Sequence, residues 1–425
     1  AFIETGAFAI ISASPELFFR LDGDHLVARP MKGTACRGRT PVEDQAQAES
    51  LLRSEKNRAE NVMIVDMIRN DLGRVAETGS VIPDPLFALE RYPTVWQLTS
   101  TVAANTRASL VAILRALFPC ASVTGAPKPK TMELIAGLET APRKVYTGAI
   151  GHIGPDRHAQ FNVAIRTVLV DKTAGQAEYG VGGGIVWDSD PRDEYEECWN
   201  KARILTESQP EFRLLETLLW TPDGSFRHLE RHLSRLRESA GYFDYPVTPD
   251  ALRHHLDREA SAWRVNGLTA QRVRLLLDRT GAITVENTPF EPRHAGQPVR
   301  VCLAASPIDP ANRFLYHKTT HRAVYESARA GRPGFDDVLL WNTRGELTET
   351  TLANVVVELD GRRLTPPLSC GLLPGTFRAE LLDEGEITEG VIRREDLNRC
   401  QGLHLISSLR LWRRADLIHP PFQSP

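Results

Sequence analysis

A short polar junction, Glu207-Ser208-Gln209-Pro210, stands near the middle of this 425-residue chain, and the residue pattern changes across it. Small polar residues followed by proline favour neither helix nor strand and fit a linker. A chain of this length is expected to form two or three domains. The junction therefore predicts a first domain over residues 1–205, a linker over 206–211 and a second domain over 212–425.

The chain is 42% hydrophobic and 25% charged, as expected of a soluble globular protein. A net charge of −3 gives no reason to invoke nucleic acid or an anionic membrane. No apolar run reaches the roughly 18 residues needed to span a bilayer, and no signal-peptide pattern is present. The six cysteines are scattered, without a C-x-x-C pair, so neither zinc nor a disulfide framework is predicted. A reducing cytoplasm fits this usage best.

In the first half, Ala7–Ser12 reads as a strand, and Leu17–Phe19 with His25–Ala28 as a hairpin around Asp22-Gly23-Asp24. Pro30-Met31-Lys32-Gly33-Thr34 places a lysine between a helix breaker and a permissive glycine, so a loop is expected to hold it. Gln45–Ile68 has helical periodicity and carries Glu60, with Gly73 as the expected C-terminal cap. Leu110–Phe118 and Thr131–Leu138 also read as helices. Between them Ser122-Val123-Thr124-Gly125-Ala126-Pro127-Lys128 is a rigid loop suited to an oxyanion. Three strands follow, Tyr146–Ile153, Phe161–Val170 with Arg166, and Glu178–Trp187 with Gly182-Gly183-Gly184. Triple glycine in a strand fits close approach to a ligand, or a bulge. Asp188-Ser189-Asp190-Pro191 starts a helix on which Glu194, Glu197 and Lys201 share a face. Two carboxylates on one face can bind Mg²⁺; taken alone they also fit a solvated surface.

In the second half, Arg213–Trp220, Ala270–Asp278, Ala282–Glu286, Asp337–Trp341 and Leu403–Ser408 read as strands. Leu229–Ala240, Pro249–Trp263, a run ending at Ala330, and Phe377–Asp383 read as helices. Tyr316-His317-Lys318-Thr319-Thr320, Glu349-Thr350-Thr351-Leu352-Ala353-Asn354 and Gly371-Leu372-Leu373-Pro374-Gly375-Thr376 stand between them, and the last opens a helix whose N-terminus suits a phosphate.

Ser14-Pro15-Glu16, the Lys32 motif, Arg58-Ala59-Glu60-Asn61 and Arg69-Asn70-Asp71-Leu72-Gly73-Arg74 occur in this order, and the first half resembles the chorismate-utilising enzymes over nearly all of residues 7–205. The lysine marks the branch that aminates chorismate at C4, where the anthranilate-forming branch usually carries alanine. The resemblance implies Mg²⁺ held mainly by Glu60 and Glu197, with Glu194 close by. It implies Arg166 and Tyr146 on a substrate carboxylate, and Thr124 and the amides of Gly182, Gly183 and Gly184 around the ligand. Glu16 would be the general acid that helps the C4 hydroxyl leave, and Lys32 the nucleophile at C2, displaced when ammonia enters. Gln97 stands where many members carry histidine, so no proton transfer is assigned there; it can still hydrogen-bond. Family members carry a long segment before Ser14, so the first domain is expected to be incomplete at its N-terminus and a poor catalyst by itself.

The second half, over roughly residues 212–418, resembles the class IV pyridoxal-phosphate enzymes. That implies pyridoxal 5′-phosphate carried on Lys318, with Glu349 at the pyridine nitrogen and Arg235, Thr376 and Ser408 at the phosphate. The expected fold is therefore the C-terminal part of an α+β sandwich followed by a two-subdomain α/β class IV fold. The expected function is conversion of chorismate to aminodeoxychorismate and then to 4-aminobenzoate, a folate precursor. A separate glutamine amidotransferase subunit would supply ammonia, and a homodimer would form through the second domain. An anthranilate-forming domain joined to a branched-chain or D-amino-acid aminotransferase stays open, as does a lyase carrying a non-catalytic remnant.

Overall fold

A computed structural model describes residues 1–187, 189–206, 210–291 and 297–418, without the side chains of Asn200 and Pro249. Asp188 and residues 207–209, where the sequence places part of a turn and of the linker, lie outside the described residues. The chain falls into two units, Ala1–Arg37 with Gln45–Gln209, and Gly38–Asp44 with Pro210–Pro425.

In the first unit the hairpin forms as the sequence predicts. Strands Leu17–Asp22 and His25–Arg29 pair antiparallel, and Gly23 takes the left-handed turn with φ +59. They sit centrally in a six-stranded sheet, in the order Ala149–Ile153, His158–Val163, Leu17–Asp22, His25–Arg29, Val102–Asn105 and Ile82–Pro83. One face of this sheet presents Phe18, Leu21 and Leu26 to Ile64, Val65, Ile68 and Leu72 of helix Glu55–Gly73, and to Ile113 and Leu117 of helix Leu110–Leu117. Each large side chain buried this way contributes roughly 1.5–3 kcal/mol, so this layer fixes the helix against the sheet.

Several expectations are corrected. The single helix over residues 45–68 is two, Pro41–Arg53 and Glu55–Gly73, because Ser54 leaves the helical conformation and its hydroxyl accepts from the Asn57 N–H. Gly73 is the last helical residue and not a left-handed cap; Arg74 follows it in right-handed geometry. The Lys32 loop is a strand, Met31–Cys36, paired with Val95–Thr99 and broken by a bulge between Met31 and Thr34. The strand expected over residues 161–170 is two, His158–Val163 and Thr167–Asp171, in different sheets; the chain crosses between them at Arg166, whose φ is +50. The strand before the glycines ends at Tyr179, so Gly182, Gly183 and Gly184 lie outside regular structure.

In the second unit, strands Leu214–Trp220, Gln271–Leu277 and Ile283–Pro289 form one antiparallel sheet. Helices Leu229–Phe243 and Pro249–Val265 cover it through Leu233, Leu236, Leu252, Leu256 and Trp263. An eight-stranded sheet carries the remainder, and an extra pairing between Leu347–Thr350 and Asn354–Leu359 closes six of its strands into a ring. That closure rests on one register pair, Glu349 opposite Asn354. Among the described residues no single helix is long and apolar enough to cross a membrane.

Candidate functional site

Each unit gathers its own set of polar side chains. In the first, the bulge that carries Lys32 is pinned from the neighbouring strand. Gln97 Nε2 donates to the Gly33 carbonyl at 2.9 Å, and its Oε1 accepts from Thr34 Oγ1 at 3.0 Å. Asn61 Nδ2 donates to the Lys32 carbonyl at 3.3 Å. Gln97 thus holds the shape of the bulge. The glycine segment passes directly beside these groups. A methyl group built on Gly184 would stand 2.6 Å from Lys32 Nζ, and one on Gly183 would stand 2.6 Å from Glu194 Oε2 and 3.9 Å from Glu197 Oε2. One on Gly182 would stand 3.0 Å from Tyr146 Oη. The structure therefore brings Lys32, Tyr146, Glu194, Glu197 and the three glycines together.

Asp190 starts the helix that carries the two glutamates, its side chain accepting from the Arg192 and Asp193 N–H groups. Glu194 Oε1 accepts from Ser189 Oγ at 2.7 Å, while its buried Oε2 has no hydrogen-bond partner. Glu197 pairs with Lys201 Nζ at 2.6 Å, and that ammonium also donates to the Gly182 carbonyl at 2.8 Å. Arg166 reaches the same helix end, where Nη1 donates to the Lys201 carbonyl at 2.7 Å. Lys201, read from sequence only as part of a charged face, ties the glutamate helix to the glycine segment.

Glu16 is buried, and its Oε1 has no hydrogen-bond partner. Burial pushes its carboxyl up to about 7, against the opposing pull of Ser122, the Lys32 ammonium and the Met31 N–H. A carboxyl near neutrality beside a lysine has the acidity a general acid needs. Thr124 spends its hydroxyl locally, on the Cys120 carbonyl at 3.0 Å, which closes the short helical turn Ala121–Val123. Glu60 is half-buried on helix Glu55–Gly73. Among the described residues no three of His, Cys, Asp and Glu gather closely enough to hold a metal by themselves. A cavity of about 1240 Å³ lies elsewhere, lined by Arg58, Met63 and Asp66 with Ala126 and Pro127, and holds none of these site residues.

In the second unit, Lys318 is set against strand Leu214–Trp220. The Leu215 N–H donates to the Lys318 carbonyl at 2.9 Å, and Thr319 bridges Leu214. The next residue on that strand is Glu216, fully buried and, beside Thr217, an acid in a run of leucines ending in Trp220. Arg235 Nε and Nη2 clasp both its oxygens at 2.9 and 2.7 Å, and His232 Nδ1 lies 2.7 Å from Oε2. Burial works to raise the Glu216 carboxyl, but Arg235 and His232 together hold it at about 2. His232 Nε2 meets Thr376 Oγ1 at 3.3 Å, at the first residue of helix Thr376–Asp383. Sequence reasoning missed Glu216, although an acid inside an apolar strand is itself a signal of a buried ion pair.

The segment Gly371–Gly375 joins this network to Glu349. Arg235 Nη1 donates to the Pro374 carbonyl at 2.8 Å, and the Leu373 N–H donates to Glu349 Oε1 at 3.1 Å. Asn354 Nδ2 donates to Glu349 Oε2 at 3.1 Å and to the Leu373 carbonyl at 2.9 Å. A methyl group on Gly375 would stand 1.9 Å from Asn354 Oδ1, so only glycine fits there. Burial pulls the Lys318 ammonium down to about 8, with Arg235 adding to the effect and Glu216 opposing it. Burial lifts Glu349 to about 7 against the Tyr325 hydroxyl and the Leu373 N–H. Ser408 stands in the turn after strand Gly402–Ser407, where its carbonyl accepts from Arg227 at 3.4 Å. Among the described residues no hydrogen bond joins Ser408 to Arg235 or Thr376.

Residues 1–207 match the family described as chorismate binding enzyme, and residues 213–418 match amino-transferase class IV. The chain is a fusion of these two families. Its first half is 49% identical over 220 residues to an aminodeoxychorismate synthase of Streptomyces griseus, covering 51% of this chain and 29% of that protein. Its second half is similar to a solved Mesorhizobium loti protein assigned as an amino-acid aminotransferase, at 39% identity and a TM-score of 0.46, covering 49% of this chain and all (100%) of that one. It is also similar to the solved 4-amino-4-deoxychorismate lyase of Pseudomonas aeruginosa, at 22% identity and a TM-score of 0.42, covering 50% and 87% of the two chains. The chain spans between 22% and 45% of the length of the first curated relatives it matches.

Class IV membership implies pyridoxal phosphate. The residues fit it. A lysine of lowered basicity, a buried carboxyl, and an arginine next to a helix N-terminus are the groups that an aldehyde, a pyridine nitrogen and a phosphate require.

Proposed function

We propose that the chain makes 4-aminobenzoate from chorismate in two steps, one in each half. The first half would aminate C4 of chorismate, with ammonia from a separate glutamine amidotransferase. The second would eliminate pyruvate from the aminodeoxychorismate so formed. The observation that carries the proposal is that one chain holds both a Lys32–Glu16 pair and a Lys318–Glu349 pair, the first suited to make what the second consumes. A homodimer formed through the second half accompanies this reading.

In the first step Glu16 would protonate the departing C4 hydroxyl, a role that its near-neutral acidity supports. Lys32 would add at C2 and leave as ammonia enters at C4. Mg²⁺ needs only one or two protein carboxylates besides water and substrate. Glu60 and Glu197 would supply these, with Glu194 and its unpartnered buried oxygen close by. Arg166 and Tyr146 would face a substrate carboxylate, beside the Gly182–Gly184 backbone and the Thr124 loop.

In the second step, bound pyridoxal phosphate would supply an electron sink next to the substrate nitrogen. Lys318 would carry the cofactor and take the C4 proton, while pyruvate departs and the ring becomes aromatic. Glu349 would hold the pyridine nitrogen, and Arg235 with the first turn at Thr376 would hold the phosphate. Ser408 would assist from its turn.

Incubation with chorismate, ammonia, Mg²⁺ and pyridoxal phosphate, with products identified by mass, tests the proposal. The expected product is 4-aminobenzoate with pyruvate. Anthranilate would replace this reading with an anthranilate-forming domain joined to an aminotransferase. Turnover of supplied aminodeoxychorismate, with no binding of chorismate, would make the first half a scaffold.

A further inference from the structure

Glu349 is held from two directions, and only one of them belongs to the strand closure described above. Asn354 and the Leu373 N–H reach it from the sheet and the segment beside it. The third donor comes from helix Ala323–Ala330: the Tyr325 hydroxyl donates to Glu349 Oε1 at 2.8 Å. Tyr325 is itself buried, and the Arg322 guanidinium lies 4.6 Å from the centre of its ring. Arg322 is anchored in turn by a hydrogen bond from Nη2 to the Thr351 carbonyl. Burial, with Glu349 adjacent, lifts the Tyr325 phenol well above its ordinary 10, so it stays a donor at every working pH.

We propose that Tyr325 is a positioning residue for Glu349: its hydroxyl, with the Leu373 N–H, occupies Oε1, so that Oε2, which accepts from Asn354 alone among the described residues, is the oxygen that meets a protonated ring nitrogen. This rests on the pyridoxal-phosphate reading of the second half. The groups facing Glu349 are Tyr325 and Arg322 from the helix and its start, Lys318 from the preceding segment, Asn354 from the paired strand, and the Leu373 N–H. All of them favour the carboxylate, while burial favours the neutral acid. Burial outweighs them and holds the carboxyl at about 7, so both forms are present at neutral pH and the loss of one charge-assisted hydrogen bond shifts which predominates. A neutral Glu349 would be a poor partner for a pyridinium.

The test compares the full-length wild type with Tyr325→Phe, which removes one oxygen and keeps the ring. In the cofactor-free proteins, the infrared band of the protonated Glu349 carboxyl is followed against pH, with Glu349→Gln subtracted. The midpoint is expected to rise by about one pH unit in Tyr325→Phe. Pyridoxal phosphate should bind the variant about tenfold more weakly at neutral pH, with the difference vanishing at alkaline pH. Biosynthetic 3-fluorotyrosine, a stronger donor, should move the midpoint the other way. An unchanged midpoint in both forms overturns the role of Tyr325. The cofactor reading fails by a separate sign, namely wild-type protein that borohydride does not couple to pyridoxal phosphate at Lys318.

Discussion

Replacing Glu216 by glutamine is expected to destabilise the second half by about 3 kcal/mol. Glu216 is fully buried, with both oxygens on Arg235 and one also on His232. Its carboxyl stands at about 2 against an ordinary 4.5, a difference of 4.5 − 2 = 2.5. At 1.36 kcal/mol for each pH unit this is about 3 kcal/mol of linked stability. Removing one partner of a buried pair costs a similar 3–5 kcal/mol or so, because the other charge is left uncompensated. The sign follows from the depressed value: the contribution is fully present above pH 4.5 and is lost as pH falls towards about 2. For a domain of this size, about 3 kcal/mol lowers the melting temperature by roughly 6–12 °C. The core beside Glu216 carries Trp220 and Trp263, edge to face at 5.5 Å, so near-ultraviolet circular dichroism follows its melting. The gap between wild type and Glu216→Gln should be widest at neutral pH and close in strong acid. A variant that melts with wild type at neutral pH would refute the reasoning. So would a triple variant, Glu216→Leu with His232→Leu and Arg235→Met, that loses more stability than Glu216→Gln alone, since an apolar replacement of the whole network should recover most of the loss.

Glu16 titrates at about 7, so a proton-donor role predicts that amination of chorismate falls as pH rises through that value. Glu16→Gln should lose about 10²–10⁴ in rate while still binding chorismate, and a pH profile identical to wild type would exclude the role. Gly375→Ala would place a methyl 1.9 Å from Asn354 Oδ1 and force that amide off Glu349 and Leu373. Equilibrium dialysis should show pyridoxal phosphate held at least about tenfold more weakly, the order expected for one lost buried hydrogen bond; unchanged affinity would contradict it. Lys318→Ala should abolish 4-aminobenzoate formation yet let aminated chorismate accumulate, as read by mass. Equal loss of both steps in a folded variant would show that the halves do not act separately.

The local pattern of the sequence determined most of the elements and the division of chemistry between the halves. Alternation and turn residues placed the hairpin at Asp22-Gly23-Asp24, and helical spacing placed Leu229–Ala240 and Pro249–Trp263 within the observed helices. Lys318, Glu349 and Arg235 were singled out by their motifs, as were Lys32, Glu16 and the glycines. The elements are legible because backbone periodicity and turn chemistry act over a few residues, whereas the site residues follow from the family resemblance of their motifs.

Other features were settled only by tertiary structure. Lys32 lies on a strand bulge because Gln97, more than 60 residues away, bonds across it. The run through Arg166 breaks because its ends join different sheets, which no local alternation reveals. Glu216 became an anchor only when the fold brought Arg235 and His232 to it, and Glu349 gained Asn354 from the register pair that closes the ring of strands and Tyr325 from a separate helix. The physical reason is common to all four. Which strand pairs with which, and which charge loses its water, depends on contacts between distant parts of the chain. Burial then sets how strongly those contacts act, and neither is written in the spacing of neighbouring residues.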